Sequence, residues 1–255
     1  MDKDLLKEIA YYVEKHIQTF HDRRIEKLKS LRLKDVLKRK NPYLFKAKDL
    51  TPEQLIDSLL GAFLSSQEET IFGDFLENLA IFVCERTLNG RKSAVQGVDL
   101  EFTKGDTLYL VSIKSGPNWG NSSQIKKMID DFKKAARTHR SNNPESKIIA
   151  VNGCCYGVDE NPDKGDYFKY CGQKFWEFIT NDSSFYLQII EPLGVKAKEK
   201  NQQFFDSYNE IKNKFLEEFK QNFCQGDQID WSKLVEYNSK AQGLKTQVRT
   251  KRPKS

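Results

Sequence analysis

The chain has 255 residues, a formal net charge of +6 and five cysteines. This length allows one large domain or a core with helical additions, and the positive charge favours a polyanionic partner. Five cysteines without zinc-type spacing or a secretory leader argue against a disulfide scaffold, and we expect a reducing, cytoplasmic setting. No apolar run is long enough to cross a membrane, so we expect a soluble protein.

Helical periodicity dominates the first part of the chain. Apolar side chains recur three and four positions apart over 2–37, which predicts an amphipathic helix or helix pair. The N-terminal helical segment, 1–45, either packs on its own domain or forms a dimer contact. A capping box at Thr51 and Gln54 then predicts the start of the next helix.

Two acids lie on the helix that we expect from position 66 to about 86. Ser66 and Glu69 form a second candidate capping box, which gives Glu69 a structural explanation. Glu77 has no such explanation, because it lies at the margin of the apolar stripe beside small residues that leave room for a ligand or metal. A single glutamate at such a boundary is more often a solvated surface residue. It is the hairpin after this helix that makes a functional role the better interpretation of Glu77.

The segment 97–114 predicts a β-hairpin with an unusual polar face. Two runs of period-2 alternation flank a Gly-Asp pair, which is typical of a two-residue turn. Strand parity then places four polar side chains on one side of the sheet: Asp99, Glu101, Ser112 and Lys114. Such groups are costly to bury unless they are paired or bind an ion, so the hairpin is a candidate site.

A polar loop and a cationic helix, expected over 124–140, follow the hairpin. One interpretation is a surface loop whose serines cap the helix, with a solvated charged face. The functional interpretation is a set of donors and cations presented to phosphates or base edges. The candidate DNA-binding residues are Ser115, Asn118, Trp119, Asn121, Ser122, Ser123, Gln124, Lys126 and Lys127.

The remaining elements complete an α/β pattern. A strand over 147–151 after the cationic helix predicts a parallel crossover. Apolar patterns predict a helix over 171–179 and another strand over 186–190. An aromatic stripe at helical spacing lies in the C-terminal helical segment, 196–238, and the basic, apolar-poor tail, 239–255, is expected to be mobile.

An acid on one strand and a lysine at the end of the next are suited to phosphodiester hydrolysis. A divalent ion held by carboxylates polarises a phosphate oxygen and lowers the pKa of bound water. A nearby lysine can position or deprotonate that water and offset transition-state charge. Oxygen ligands favour Mg²⁺, and nothing in the sequence calls for an organic cofactor.

These residues resemble a known family. The strings GVDLEF, SIKSGPNWGNSSQ, SSQEETIFGDFLENLA and NGCCYG are similar to type II restriction endonucleases of the PD-(D/E)XK superfamily, and within them to the PmeCII-type group, over 38–195. The resemblance implies an α/β (α+β) fold, with a restriction-endonuclease-like core over 46–195. That core has a central mixed β-sheet flanked by helices, with extra N- and C-terminal helices. It also implies a prokaryotic enzyme that cuts double-stranded DNA as a homodimer.

The resemblance also implies roles for individual residues. Asp99 matches the metal-binding aspartate, Lys114 the catalytic lysine, and Glu77 the acid on the helix that precedes the sheet. The backbone carbonyl of Ile113 is a further metal ligand in similar sites. The resemblance therefore predicts a Mg²⁺ site built from the hairpin and one helix.

One position departs from the superfamily pattern. The acid usually found two residues before the lysine is Ser112 here, and a serine cannot supply the missing charge. We favour Glu77 as the second catalytic and metal-binding acid, with Glu101 close behind and Glu69 as a third alternative.

The sequence therefore predicts a Mg²⁺-dependent type II restriction endonuclease that acts in restriction–modification defence. Two alternatives stay open. A repair or junction-resolving nuclease of the same superfamily would share the site but cut by DNA structure. A DNA-binding protein with a decayed nuclease site would account for Ser112.

Overall fold

The computed structural model describes residues 1–38 and 40–240, apart from the side chain of Asn142. Its helices are α1 (Lys3–Lys29), α2 (Leu33–Leu37), α3 (Pro42–Ala47), α4 (Pro52–Leu88), α5 (Ser122–Asn142), α6 (Gln173–Thr180), α7 (Phe185–Gln188), α8 (Ile190–Leu193), α9 (Ala197–Phe223) and α10 (Trp231–Ser239). Its strands are β1 (Arg91–Lys92), β2 (Leu100–Lys104), β3 (Thr107–Lys114), β4 (Lys147–Cys154), β5 (Phe168–Cys171), β6 (Cys224–Gln225) and β7 (Gln228–Ile229). Within the described residues, no helix is both long and apolar enough to cross a membrane.

The chain forms two compact units. Of the described residues, the first unit contains Met1–Lys27 and Ser66–Phe205, and the second contains those of Leu28–Ser65 and of 206–240. Each unit combines distant parts of the chain, and the predicted boundaries at positions 45, 195 and 238 stay a prediction. From position 241 onward, the predicted basic tail lies outside the described residues.

The first unit holds a five-stranded mixed sheet in the order β1-β2-β3-β4-β5. The β1–β2 and β2–β3 pairs are antiparallel, whereas the β3–β4 and β4–β5 pairs are parallel. Helix α5 connects β3 to β4, as the predicted parallel crossover requires. The predicted α/β class with a central mixed sheet is confirmed.

The β2–β3 hairpin has the register that the sequence predicts. Lys104 pairs with Thr107 and Glu101 with Leu110, so Gly105 and its aspartate neighbour form the two-residue turn. Gly105 has a φ of 63°, in the left-handed region that glycine adopts at little cost. The predicted face of the hairpin is therefore correct.

Helices cover both faces of the sheet. Val111 packs in one buried cluster with Leu79 and Val83 of α4. Its neighbour Leu110 packs in a second cluster with Phe132 of α5. Because adjacent strand residues point to opposite faces, α4 and α5 lie on opposite sides of the sheet and enclose it in three layers.

Two local predictions are wrong. Helix α4 is continuous through Ser66, so Ser66 and Glu69 do not form a capping box. A capping box forms only where a helix begins, and no helix-breaking residue at this point ends the preceding turns. The segment 186–190 is helical, in α7 and α8, instead of a strand. A short apolar run fits either state by its pattern alone. The capping box of Thr51 and Gln54 is confirmed, with bonds of 3.0 and 3.3 Å.

Gly153 in β4 provides a test of the packing between the sheet and α6. A Cβ at this position would overlap the ring of Phe175, which is fully buried. We expect Gly153→Ala to lower the free energy of unfolding by about 1–3 kcal/mol, since overpacking displaces neighbouring side chains. Urea denaturation followed by circular dichroism measures this change.

Gly61→Ala is the matched control. Gly61 lies within α4, and a Cβ there would meet nothing within 4 Å. Because alanine has the higher helix propensity, this variant should be as stable as the wild type or more stable. Equal stability of the Gly153→Ala variant and the wild type would contradict the packing described here.

Candidate functional site

Asp99 joins the start of β2 to the end of β3. Its backbone N–H donates to the Val111 carbonyl at 2.9 Å. Its Oδ2 accepts from the Ile113 N–H at 2.6 Å and from the Ser112 hydroxyl at 3.3 Å. Ser112, which stands where the resemblance expects an acid, is therefore a hydrogen-bond donor to the neighbouring acid.

Lys114 ends β3 beside this carboxylate. Its Nζ donates to the Ile113 carbonyl at 2.8 Å and lies 3.7 Å from Asp99 Oδ2. The ammonium also lies 5.4 Å from the centre of the Trp119 ring. Both charged side chains are partly exposed, at 30% for Lys114 and 23% for Asp99. The two residues that the sequence singled out are therefore in contact with each other and accessible to a substrate.

Glu77 projects from α4 toward the same charges. Burial raises the pKa of its carboxyl group, and the negative charge of Asp99 raises it further. The cations of Lys92 and Lys114 lower that pKa in part, and Lys92 Nζ lies 3.8 Å from Glu77 Oε1. Glu77 is therefore a partly buried carboxylate with a lysine at salt-bridge distance and the charge of a second carboxylate acting on it. A bound cation would stabilise its ionised form further.

Glu101 has a different environment, although parity places it on the predicted face. Its side chain is 6% exposed, and Arg91 Nε donates to Oε1 at 2.6 Å. The other oxygen, Oε2, lies 3.3 Å from the Ser93 hydroxyl and 3.2 Å from His139 Nε2. Arg91 and Ser93 therefore engage both oxygens and join the β1 segment to the sheet, whereas the nearby His139 nitrogen makes no hydrogen bond within the described part of the chain. Glu69 is exposed on α4, and none of its described contacts reaches this group.

A cleft of about 420 Å³ opens between the hairpin and the start of α5. Its lining residues are Gly97, Asp99, Ser112, Lys114, Trp119, Gln124, Lys127, Met128 and Asp131. The cleft therefore joins the acid, the lysine and the first turns of the cationic helix, and neither Glu77 nor Glu101 is among its lining residues.

The loop after Lys114 is held by the end of β4. The Trp119 indole N–H donates to Asn152 Oδ1 at 2.9 Å, and Lys169 Nζ donates to the Pro117 carbonyl at 2.9 Å. Gly116 lies against Tyr156 so closely that a Cβ there would overlap the ring. The sequence analysis missed these supporting residues. A polar asparagine within the apolar run KIIAVNGC was the available signal for Asn152.

The family of the chain follows from a family-model comparison. The model described as "Type II restriction endonuclease EcoO109I" matches residues 7–201. The chain belongs to this family. Comparison with curated proteins finds no matching relative. The prediction of a type II restriction endonuclease is confirmed, and the match extends beyond the predicted 38–195 to include most of α1. The narrower likeness to the PmeCII-type group stays a prediction.

In this restriction endonuclease, some of the predicted DNA-binding side chains already have partners within the protein, and others are exposed without a role in capping the helix. Asn121 and Gln124 form a reciprocal capping box at the start of α5, with bonds of 3.0 and 2.9 Å. The alternative interpretation, in which the serines cap this helix, is therefore wrong, because Asn121 is the cap. Ser122 and Ser123 are exposed on the first turn. Lys127 lies 3.1 Å from Asp131. All nine predicted DNA-binding residues are exposed or partly exposed: Ser115, Asn118, Trp119, Asn121, Ser122, Ser123, Gln124, Lys126 and Lys127.

The donor atoms at the site can be compared with what a divalent ion requires. Within residues 1–38 and 40–240, no group of three or more His, Cys, Asp or Glu side chains is arranged to hold a metal. The site offers two carboxylates, Asp99 and Glu77, and the carbonyl of Ile113. Mg²⁺ typically takes one or two protein carboxylates and keeps several waters, so this sparse oxygen set fits Mg²⁺ better than a cation that needs a full protein cage.

The environment of Glu77 leads to a stability prediction. Because its pKa is raised in the folded protein, the ionised carboxylate opposes folding at pH 7, and this penalty disappears as the pH falls through the folded-state pKa. We expect Glu77→Gln to raise the free energy of unfolding at pH 7 by up to about 1 kcal/mol. The gain should vanish at about pH 4 and below, where the unfolded chain is also protonated.

Thermal unfolding without divalent ions, measured from pH 4 to pH 8, checks this expectation. Glu69→Gln on the exposed part of the same helix is the matched control and should leave stability unchanged at every pH. A Glu77→Gln variant that is less stable than the wild type at pH 7 would show that the carboxylate has a compensating partner.

Proposed function

We propose that the chain is a Mg²⁺-dependent type II restriction endonuclease. It would hydrolyse phosphodiester bonds of double-stranded DNA at a specific short sequence, in restriction–modification defence. The observation that carries this proposal is the contact between Asp99 and Lys114, with Glu77 under the electrostatic influence of both, in a chain of a restriction endonuclease family. Their residue types are those that metal-assisted phosphodiester hydrolysis requires.

The proposed metal ligands are Asp99, Glu77 and the carbonyl oxygen of Ile113. When bound, Mg²⁺ would polarise the scissile phosphate and lower the pKa of a coordinated water. The Ser112 hydroxyl and the Ile113 N–H hold Asp99 Oδ2 in place. This fixed carboxylate needs little rearrangement to bind a cation, which is the advantage of a preorganised site.

Lys114 would orient the nucleophilic water and offset charge on the phosphate. Its Nζ donates to Ile113 O at 2.8 Å, the same carbonyl that we assign to the metal. The ammonium must therefore turn from this carbonyl toward the phosphate when substrate and metal are bound. Its partial exposure and its position at the end of β3 leave room for this movement.

The DNA would lie along the loop and the first turns of α5. Exposed Asn118, Ser122 and Ser123 supply neutral donors, and Lys126 supplies a cation. The N-terminal end of a long helix also attracts phosphate. These contacts would position the DNA backbone with its scissile phosphate near Asp99 and Lys114.

Removing the charged side chain of either Asp99 or Lys114 should strongly reduce cleavage. We expect Asp99→Ala and Lys114→Ala to lower the single-turnover cleavage rate by about 10²-fold or more, the scale of a lost general acid–base group, with DNA binding retained for Lys114→Ala. Glu77→Ala should behave like Asp99→Ala, and chelation of divalent ions should stop cleavage. The assay maps the ends of a duplex of known sequence.

Lys104→Ala and Asp106→Ala are controls at the exposed turn end of the same hairpin and should cut at the wild-type rate. Full activity of both Asp99→Ala and Lys114→Ala would refute the assignment. No cleavage by the wild type with Mg²⁺ would favour a decayed DNA-binding protein. Cleavage at branched junctions without a preferred sequence would favour the repair or junction nuclease.

We further propose that the active protein is a homodimer. A two-fold symmetric pair can place one site on each strand of a palindromic sequence. Light scattering at the concentration used for cleavage should give twice the mass of the 255-residue chain. A monomer mass in the presence of DNA and divalent ion would exclude this arrangement. Either terminal helical segment, 1–45 or 196–238, could supply the contact.

A further inference from the structure

Trp119 makes two contacts that bear on Lys114. Its indole N–H donates to Asn152 Oδ1 at 2.9 Å, and the centre of its ring lies 5.4 Å from Lys114 Nζ. The distance to the ammonium is within the range of cation–π attraction. The donated N–H fixes the ring plane, so the indole cannot rotate without losing this hydrogen bond.

Asn152 gives the tryptophan a rigid anchor. Its side chain is fully buried in β4, where it stands opposite Ser112 of β3. Its Nδ2 donates to the Ser112 carbonyl at 3.1 Å, while its Oδ1 accepts from Trp119. A buried amide is retained without large cost only when both ends are paired. Here the pairing connects the backbone of the catalytic strand, through Asn152, to the indole.

We propose that Trp119 is the positioning residue for Lys114, and that Asn152 orients it. The ring limits the directions in which the ammonium can point and holds it beside Asp99, while leaving it free to move from the Ile113 carbonyl to the phosphate. This inference rests on the proposed nuclease function. It replaces the expectation that Trp119 contacts DNA, because the indole donor and the ring are both engaged within the protein.

The test compares Trp119→Leu, which removes the ring, with Trp119→Phe, which keeps a ring but removes the donor to Asn152. Single-turnover cleavage with Mg²⁺ would use a duplex whose cut positions in the wild-type digest are known, and DNA affinity would be measured without Mg²⁺. We expect Trp119→Leu to slow cleavage by about 10- to 100-fold, the scale of a small misplacement of a catalytic group, with unchanged affinity. Trp119→Phe should lie between the leucine variant and the wild type.

A spectroscopic measurement separates positioning from a general structural effect. In Trp119→Leu, the NMR signals of the Lys114 ε-methylene protons should move to higher chemical shift, because the aromatic ring current is lost. Trp231→Leu is the matched control, because Lys46 Nζ lies 5.5 Å from the centre of the Trp231 ring in the second unit. This control should move the Lys46 signals, leave those of Lys114 unchanged and cut at the wild-type rate.

The outcomes are distinct. A wild type that cuts no duplex refutes the proposed function and with it any catalytic role of Trp119. Wild-type cleavage with an equal rate for Trp119→Leu refutes only the positioning role. Parallel losses of DNA affinity and rate would show that Trp119 contacts DNA. If Trp119→Leu does not fold, Trp119→Phe decides: slower cleavage at unchanged affinity supports positioning, and a wild-type rate overturns it.

Discussion

A single carboxylate oxygen connects the two strands that carry the candidate chemistry. Asp99 Oδ2 accepts from the Ile113 N–H at 2.6 Å and from the Ser112 hydroxyl, at the place where β2 begins and β3 ends. Charge-assisted hydrogen bonds of this kind are among the stronger ones in proteins. They fix the carboxylate relative to the following Lys114, whose direction depends on the same strand end. Without these bonds, the Asp99 side chain could turn away from the lysine although the backbone register stayed the same.

The two nearby glutamates, Glu101 and Glu77, have different surroundings in the folded protein. Glu101 is almost fully buried, and Arg91 and Ser93 donate to its two oxygens, so its charge contributes to holding the β1 segment on the sheet. Glu77 has only a lysine at 3.8 Å, and burial and Asp99 raise its pKa. Keeping this carboxylate ionised at pH 7 opposes folding. The cation that we propose to be shared with Asp99 would offset this cost.

Strand parity and turn chemistry were sufficient to predict the hairpin and the side on which Asp99 and Lys114 lie. The same parity placed Glu101 among the candidates, but its partners come from the β1 segment, which the local pattern does not place beside it. The break predicted at Ser66 failed for a related reason, because a capping signal is optional where the helix can continue. Asn152 was missed because the sequence does not reveal whether a polar residue in a buried strand meets a donor or a ligand.

The antiparallel and parallel parts of the sheet have different roles at the site. The antiparallel strands β2 and β3 carry the acid and the lysine, whereas the parallel strand β4 supports the loop that follows them. Asn152 holds Trp119, the Tyr156 ring packs on Gly116, and Lys169 of β5 holds the Pro117 carbonyl. A shift of β4 along β3 would therefore move the loop relative to Lys114, even though no side chain of β4 carries the chemistry. The parallel ladder next to the site is thus a condition for its geometry, and the apolar packing of Val151 and Phe175 in the sheet core supports that ladder.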